Sequence, residues 1–528
     1  MKLRSLSVLA VTGLLIGISS CNKVLEKQPY ASFSDQSAYT TLARVQLALN
    51  GVYDAAQSGF YAGGAVRGYP FGAANIEQGE ARGEHMYNSA TFYQITYEAT
   101  YNNVSPNVDY MFQTLYSLIN KANLTIVGLH GAASANVISA AQALQYEAEC
   151  RFLRAMAHHE LVLNFSKPFA DGAGGQIGVI YRDQPVSGDA SITAADAIQR
   201  STVKVSDDYT KILADLDYAE TNLPAAPDLA TYRASKAAAI ALKMRVKMHM
   251  GDWAGVITEG AKIVSGTFPN YSSPINGYKL TATVDGPFTN NTSTESMFSI
   301  KNDATDNSSV NGALAQLLGS PALGGRGLLR VSPILWSDPQ WVCDDARRTL
   351  LATFVATPAS NAGAYTTKYH DYINSSDATP QIRYAEVLLT LAEANSRLGN
   401  TTTALNLLNA VRNRAVSASE QYTAASFPTS VALTGAILKE RSIELFAEGK
   451  RWGDLHRLAL DPNFAPIPGG GIPSKLGTGL ATAAMFSCTG ATFTRSVPAI
   501  PYTDNRFLWP VPLSELQPNP NYTQNPGY

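Results

Sequence analysis

The chain has 528 residues, 45% of them apolar and 16% charged, with 40 Lys and Arg against 42 Asp and Glu. A near-neutral balance with basic residues scattered along the sequence excludes a nucleic-acid groove or a polybasic membrane patch as the organising feature. Length and apolar content suffice for an extensive buried core.

The N-terminus carries the strongest local signal. Lys2 and Arg4 lead into an apolar run over residues 6–18, followed by Ser19-Ser20 and then Cys21. At roughly 20 residues per bilayer crossing the run is too short to span, and it has the layout of a cleaved export signal. Small residues before a cysteine suit a lipoprotein signal peptidase, so residues 1–20 are read as signal peptide and Cys21 as the lipidated first residue of the mature chain. A chance cysteine behind an ordinary secretory signal is the competing explanation. Cleavage removes Lys2 and Arg4 and no acid, leaving 38 basic against 42 acidic residues. At about 0.8 kcal/mol per buried CH₂, two or more acyl chains make attachment effectively permanent.

Helical blocks follow in order. Residues 38–56 place Leu42, Val45, Leu49 and Val52 at spacings of three and four, the mark of a helix with one buried face. The same period runs through 108–129, 141–165 and 205–223, the last closed by Leu223-Pro224, since a helix rarely continues through the residue before proline. Segments 235–250 and 254–264 flank Gly251-Asp252-Trp253, and 382–398 and 402–415 flank Gly399-Asn400: two helix hairpins with tight turns. With Gly399 as the turn glycine, Leu391 and Ala392 match the first helix of a tetratricopeptide-like unit, and Ala404, Leu408 and Val411 the second. Gly251, Trp253, Val256 and Ile263 fit the same register more loosely, and a generic helical bundle would show similar spacings. The predicted scaffold is therefore 38–56, 108–165, 205–265 and 382–460.

Two long segments, 57–107 and 267–380, are rich in Gly, Asn, Thr, Ser and aromatics, with a short strand expected at 296–301. Structureless loops of that length are uncommon in compact domains, so both are expected to fold against the helices and to build the binding surface. A third stretch, 462–528, reads as C-terminal coil. Cys150 falls in a helical pattern as a buried free thiol, which leaves Cys343 and Cys488 as the one pair a bridge could join.

Catalytic patterns are absent from the sequence: it contains no H-E-x-x-H, no G-x-S-x-G and no G-x-x-x-x-G-K-[ST]. Gly172-Ala173-Gly174 begins like a dinucleotide fingerprint, but Ile177 stands where the third glycine belongs, so it reads as a loop. His158 and His159, about 100° apart on a helix, cannot easily share one ion. His370 and Asp371 read as a surface pair. The series Glu440, Arg441, Glu444, Glu448, Arg451 and Asp454 looks catalytic at first sight but has the alternating signs of helix ion pairs; because it coincides with family stretches given below, it is read as structural, tying the helix to neighbouring coil. No metal or cofactor is expected.

Several stretches, in order, carry a family pattern. Val24-Leu25-Glu26-Lys27-Gln28-Pro29 follows the candidate lipid site, and Asn50-Gly51-Val52-Tyr53-Asp54 ends the first helix. Tyr116-Ser117-Leu118-Ile119-Asn120-Lys121-Ala122-Asn123 and Glu147-Ala148-Glu149-Cys150-Arg151-Phe152-Leu153-Arg154-Ala155 come next, then Asp345-Ala346-Arg347-Arg348. The most specific lie further on: Arg383-Tyr384-Ala385-Glu386-Val387-Leu388-Leu389, Leu408-Asn409-Ala410-Val411-Arg412-Asn413-Arg414-Ala415, Glu440-Arg441-Ser442-Ile443-Glu444-Leu445, Glu448-Gly449-Lys450-Arg451-Trp452-Gly453-Asp454-Leu455 and the terminal Asn525-Pro526-Gly527-Tyr528. End to end the chain resembles the SusD/RagB family of outer-membrane nutrient-uptake lipoproteins.

The resemblance implies a mainly α fold: one domain over 21–528, with tetratricopeptide-like helix pairs as scaffold, long irregular segments and a few short strands. It also implies a non-enzymatic, lipid-anchored protein on the outside of the outer membrane, capping a TonB-dependent transporter of the SusC type. Family members commonly bind oligosaccharides, and some take peptides or other nutrients. A surface-tethered hydrolase and a pure interaction module are the competing classes. Sugar sites need flat apolar faces and a few fixed polar groups. Tyr69, Asn75, Arg82 and Tyr87 form one candidate group, and Tyr271, Tyr278, Asn302 and Trp336 the other. The family's site lies where their two segments meet. Trp336 and Tyr278 are expected as platforms facing solvent, and Trp341 as core.

Overall fold

The computed structural model describes residues 37–528 apart from residue 230, so the export signal, Cys21 and the 24–29 motif lie outside the described residues. Helices of two turns or more among these are α1 (Leu42–Gln57), α2 (Ala74–Arg82), α3 (Pro106–Ser134), α4 (Ala140–Phe165), α5 (Asp189–Asp196), α6 (Val205–Asn222), α7 (Lys236–Met250), α8 (Trp253–Ile263), α9 (Tyr384–Arg397), α10 (Thr401–Arg412), α11 (Ser430–Glu444) and α12 (Lys450–Arg457). Their ends follow local chemistry. Thr41, Ser139, Ser235, Asp252 and Thr429 each accept a backbone N–H of the first turn, and Pro106 opens α3. Helix α6 stops before Leu223-Pro224, as the sequence predicts.

The two expected hairpins form. Gly251 (φ 72°) and Gly399 (φ 82°) turn the chain in the left-handed region, where a side chain would be strained. Helices α7 and α8 pack on each other, as do α9 and α10, and α8 packs on α9. A Cβ at Gly260 of α8 would lie 2.7 Å from a terminal methyl of Leu391, so these two helices pack closely at this point. Leu391, Ala392, Ala404, Leu408 and Val411 are all buried, in agreement with their predicted packing positions.

Strands are short: β1 (Met86–Asn88), β2 (Ser265–Thr267), β3 (Asn270–Ser272), β4 (Ser296–Ile300), β5 (Leu329–Val331), β6 (Ala352–Val355), β7 (Gly363–Thr366), β8 (Thr379–Arg383), β9 (Gly471–Ile472) and β10 (Ile500–Pro501). β4 matches the strand expected at 296–301. It pairs antiparallel with β8, which corrects the predicted helix start at residue 382: residues 379–383 extend along β4, and the helix begins only at Tyr384. An antiparallel sheet of order β1-β5-β7-β6 joins the two long segments, with Tyr87 opposite Arg330. The segments therefore do meet, as expected.

Two helices among the described residues were not predicted, the short exposed α5 and the buried α2. α2 lies inside 57–107 and is buried on every side, although Glu77, Gln78, Glu80 and Arg82 are polar. Reading helices from an apolar stripe assumes that polar side chains face water. Here they find partners inside: Glu80 Oε1 accepts the N–H groups of Glu448 (3.1 Å) and Gly449 (2.8 Å), and Arg82 donates to Asn164 Oδ1 (2.9 Å) and the Phe507 carbonyl (2.7 Å). The described residues form two apolar cores. One is shared by the helical scaffold, and the other lies under the four-stranded sheet, with Trp341 fully buried in it. Cys343 and Cys488 form a disulfide, and Cys150 is a buried free thiol.

Candidate functional site

The charge series on α11 and α12 is built into the interior. Arg383 contacts Glu295 and reaches Glu444 (3.2 Å) and Glu448 (2.8 Å), while Arg414 bonds Glu295 (2.6 Å) and Glu444 (2.7 Å). Arg347 joins Asp345 (2.7 Å), Glu440 (2.6 Å) and Glu444 (3.1 Å), Arg412 bonds Glu440 (3.0 Å), and Lys368 bonds Glu448 (2.6 Å). Five acids thus face five bases in a buried, neutral lattice. Burial raises the Glu444 carboxyl, but Arg414, Arg383, Arg347 and Lys368 together hold it below the usual carboxylate range. A paired, sealed lattice has no group left to act on a substrate, and it ties α11 to the 345–348 and 379–383 segments.

His158 and His159 are core residues. His158 stacks on Tyr181 at 3.7 Å and accepts the Arg182 N–H at 3.0 Å, and burial lowers both imidazoles. His370 is exposed and sits 3.9 Å from Asp377, while Asp371 caps its own loop. Gly172–Gly174 is a single turn of 3-10 helix. Among the described residues, no three His, Cys, Asp or Glu side chains are placed to share a metal ion.

The two predicted binding groups are distributed differently from expectation. Arg82 lies with its guanidinium 3.3 Å from the Trp452 ring centre, sealed in the core. Tyr87 is buried, its hydroxyl accepting the Ala481 N–H (2.9 Å), and Asn75 donates to Gln381 (3.0 Å). Asn302 spans Gln57, Asp377 and Thr379, so its amide holds the protein together. Tyr271 is half-buried on the β2–β3 hairpin, and Tyr278 is buried in the helical core. Trp336 is 7% exposed in the second core, donating to the Phe486 carbonyl (3.0 Å) beside Trp341 and Phe354. The expectation that Tyr278 and Trp336 face solvent is thus corrected: each found enough apolar neighbours to be covered.

Tyr69 leads to the surface instead. Its buried ring lies 5.5 Å from that of Tyr61, which in turn lies 4.5 Å from Tyr110 on α3. Phe60, 43% exposed, meets Tyr110 edge-on at 6.1 Å. Arg67 places its guanidinium 4.2 Å from the centre of Tyr61 and 5.3 Å from that of Phe92, and Arg326 approaches Phe92 from the other long segment at 5.5 Å. Phe92 is therefore flanked by an arginine from each segment. A Cβ at Gly312 would lie 2.6 Å from the Arg67 carbonyl carbon, so glycine is required where the segments touch. Phe60, Tyr61, Arg67, Phe92, Tyr110 and Arg326 form a half-exposed arc of aromatic faces and guanidinium groups. Cation–π contacts hold its planes without consuming every N–H donor. Sequence reasoning passed over this arc, though Tyr61-Ala62-Gly63-Gly64-Ala65-Val66-Arg67 contained a signal: a glycine pair between an aromatic and an arginine makes a tight exposed loop.

Glu77 lies under the arc. Burial pushes its carboxyl up to about 8, against the pull of the Tyr93 hydroxyl and Arg67. The folded state therefore holds a proton here that the unfolded chain releases near pH 4.5, so this residue's contribution to stability is present below that pH and is lost as pH rises toward 8. Glu77→Gln should gain stability relative to the parent by up to about 1.4 kcal/mol per pH unit across that window. Urea denaturation of both proteins at pH 5 and pH 8 checks it, and a pH-independent difference would mean that Glu77 is ionised in the fold throughout.

Residues 352–528 match the family model described as the SusD family, and residues 62–248 match one described as starch-binding, associating with the outer membrane. SusD-like protein P38 of Formosa agariphila is 22% identical, with each chain covered in full, and SusD-like protein P2 of the same organism is 25% identical over 85% of this chain and 89% of its own. A SusD superfamily protein of Bacteroides thetaiotaomicron superposes with a TM-score of 0.74 at 20% identity, covering 92% of this chain and all of its own. A laminarin-binding SusD-like protein superposes at 0.64 with 21% identity, covering 93% of this chain and all of its own. The likeness to these structures is one of fold. With two family models matched over most of the described chain, full-length relatives and the shared mainly helical architecture, the chain belongs to the SusD/RagB family.

Proposed function

We propose that this protein binds a glycan at the cell surface, without hydrolysing it, and delivers it to a TonB-dependent transporter of the SusC type. The observation that carries the reading is the Phe60–Tyr61–Arg67–Phe92–Tyr110–Arg326 arc, where flat apolar faces for sugar CH groups alternate with hydrogen-bond donors for hydroxyls. The starch-binding description of the matched model and the laminarin-binding neighbour support a saccharide as ligand class. The Cys343–Cys488 disulfide supports export, because such bridges persist in oxidising compartments. We read the stacked hairpins as tetratricopeptide-like and residues 21–528 as one domain, anchored in the outer membrane through Cys21.

The test is retention of polysaccharides in affinity gels. Tyr61→Ala and Arg67→Ala should each weaken binding roughly tenfold or more, at about 1.4 kcal/mol per factor of ten. Unchanged retention in both would remove the arc from consideration. Release of shorter sugars by the purified protein would instead favour a surface hydrolase. Anchoring has its own measurement: Cys21→Ala should abolish fatty-acid labelling and membrane fractionation while leaving a folded protein, and label retained by the variant would mean that another residue carries the lipid.

A further inference from the structure

A cleft of about 480 Å³ opens beside the arc, and Phe60 belongs to both. Its floor is one face of α3, where Gln113, Ser117 and Asn120 follow Tyr110 of the arc at spacings of three and four, carrying a track about 15 Å from the arc into the cleft at about 1.5 Å rise per residue. The opposite wall is the segment around Arg182 and Gln184, and it is pinned in place. Asn120 exchanges two hydrogen bonds with Val186 (2.9 and 2.8 Å), and the Arg182 N–H donates to the buried His158. The width of the cleft is thus set before any ligand arrives, which spares the ordering cost of binding.

The lining chemistry is that of a sugar site. Phe112 and Tyr522 lie underneath as apolar surface, meeting edge-on at 5.4 Å. Ser117, Gln184 and the Asp196 carboxylate line the cleft, and their side chains make no hydrogen bond to other described residues. Arg182 is opposed by two carboxylates, Asp196 and Glu515, and burial also raises the Glu515 carboxyl. With Arg182 set against these carboxylates, the cleft carries no net positive charge to favour a uronate or sulfate chain. Its volume falls in the range of roughly 300–1,000 Å³ typical of small-ligand sites.

We propose that this cleft is a second saccharide subsite, continuous with the arc across Phe60, that takes neutral sugar units of an oligosaccharide whose other end rests on Tyr61 and Tyr110. The proposal rests on the glycan-binding reading and extends it from a surface platform to an extended track. It makes chain length and neutrality the determinants of selection.

The test uses the full-length chain in detergent, an array of neutral and anionic oligosaccharides from disaccharide to octasaccharide, and calorimetry on a size ladder of the best-retained series. Affinity should rise with length among neutral sugars. Ser117→Trp, which fills the cleft from an exposed position of α3, should weaken the longer sugars roughly tenfold and abolish the gain with length, whereas Tyr61→Ala should weaken every length. Gln184→Ala, also at an exposed position, should reduce the gain in the same direction and guards against misfolding of the tryptophan variant, which circular dichroism checks. If both cleft variants keep the parent's length dependence while Tyr61→Ala binds weakly, the cleft is overturned and the arc stands. Preference for anionic chains at the longer lengths would also overturn it. Retention of no arrayed saccharide would overturn the glycan reading, and the cleft with it.

Discussion

Arg383→Met should destabilise the fold by about 3–5 kcal/mol, the usual cost of removing one partner from a buried ion pair. Arg383 is 2% exposed and touches three carboxylates, Glu295, Glu444 and Glu448. Methionine fills much of its volume but leaves five buried acids facing four bases. The side-chain hydrogen bonds that fix β8 against Glu444 at the end of α11 and against Glu448 beyond it are lost. Urea denaturation with the parent alongside reads the effect. A loss below about 1 kcal/mol would show the lattice to be worth no more than a surface ion pair. The lattice also has a pH signature. Glu444 and Glu448 titrate below their unfolded values, so their contribution is present above about pH 4.5 and is lost as pH falls through the folded values. Arg383→Met should shrink that acid-side dependence as well as the stability at neutral pH.

Trp336→Ala should cost about 3–5 kcal/mol, as expected for truncating a buried aromatic side chain. The ring packs against Trp341 at 5.4 Å and Phe354 at 6.4 Å, lies 4.7 Å from the Arg348 guanidinium and donates to Phe486, which neighbours the Cys343–Cys488 disulfide in sequence. Removing it opens a cavity in the second core and takes one of two tryptophan rings from the Arg348 guanidinium, which keeps Trp341 and its backbone carbonyl partners. Saccharide affinity of the folded protein should be unchanged, because the arc is built from other residues. A calorimetric melt paired with a binding isotherm separates the two effects. A stable Trp336→Ala protein that no longer binds would restore Trp336 as a ligand platform and displace the arc.

The burial of Trp336 and the exposure of Tyr61 show why the scaffold was easier to read than the site. Both residues stand in long segments without periodicity, and the one local difference is the Gly63-Gly64 pair that follows Tyr61. Whether such an aromatic is covered depends on what arrives from elsewhere: Phe354 and Phe486 close over Trp336, whereas Tyr61 meets Tyr69, Tyr110 and the Arg67 guanidinium and stays half-exposed. Arg82 failed as a candidate for a related reason. It was weighed as a polar group in a loop, but it lies on a buried helix where Trp452, Asn164 and Phe507 receive it.

The sequence by itself determined the helices whose apolar faces repeat at three and four, the stop at Leu223-Pro224, the turns at Gly251 and Gly399, the structural role of the charges on α11 and α12, and the family. All of these rest on interactions between residues close along the chain, or on motifs carried intact. Tertiary structure alone decided that polar α2 is buried, that residues 379–383 extend along β4 before α9 begins, and that Cys343 meets Cys488. It also decided that Arg67 and Arg326 converge on Phe92. Each of these outcomes balances desolvation against partners supplied from distant segments, and that balance has no local signature.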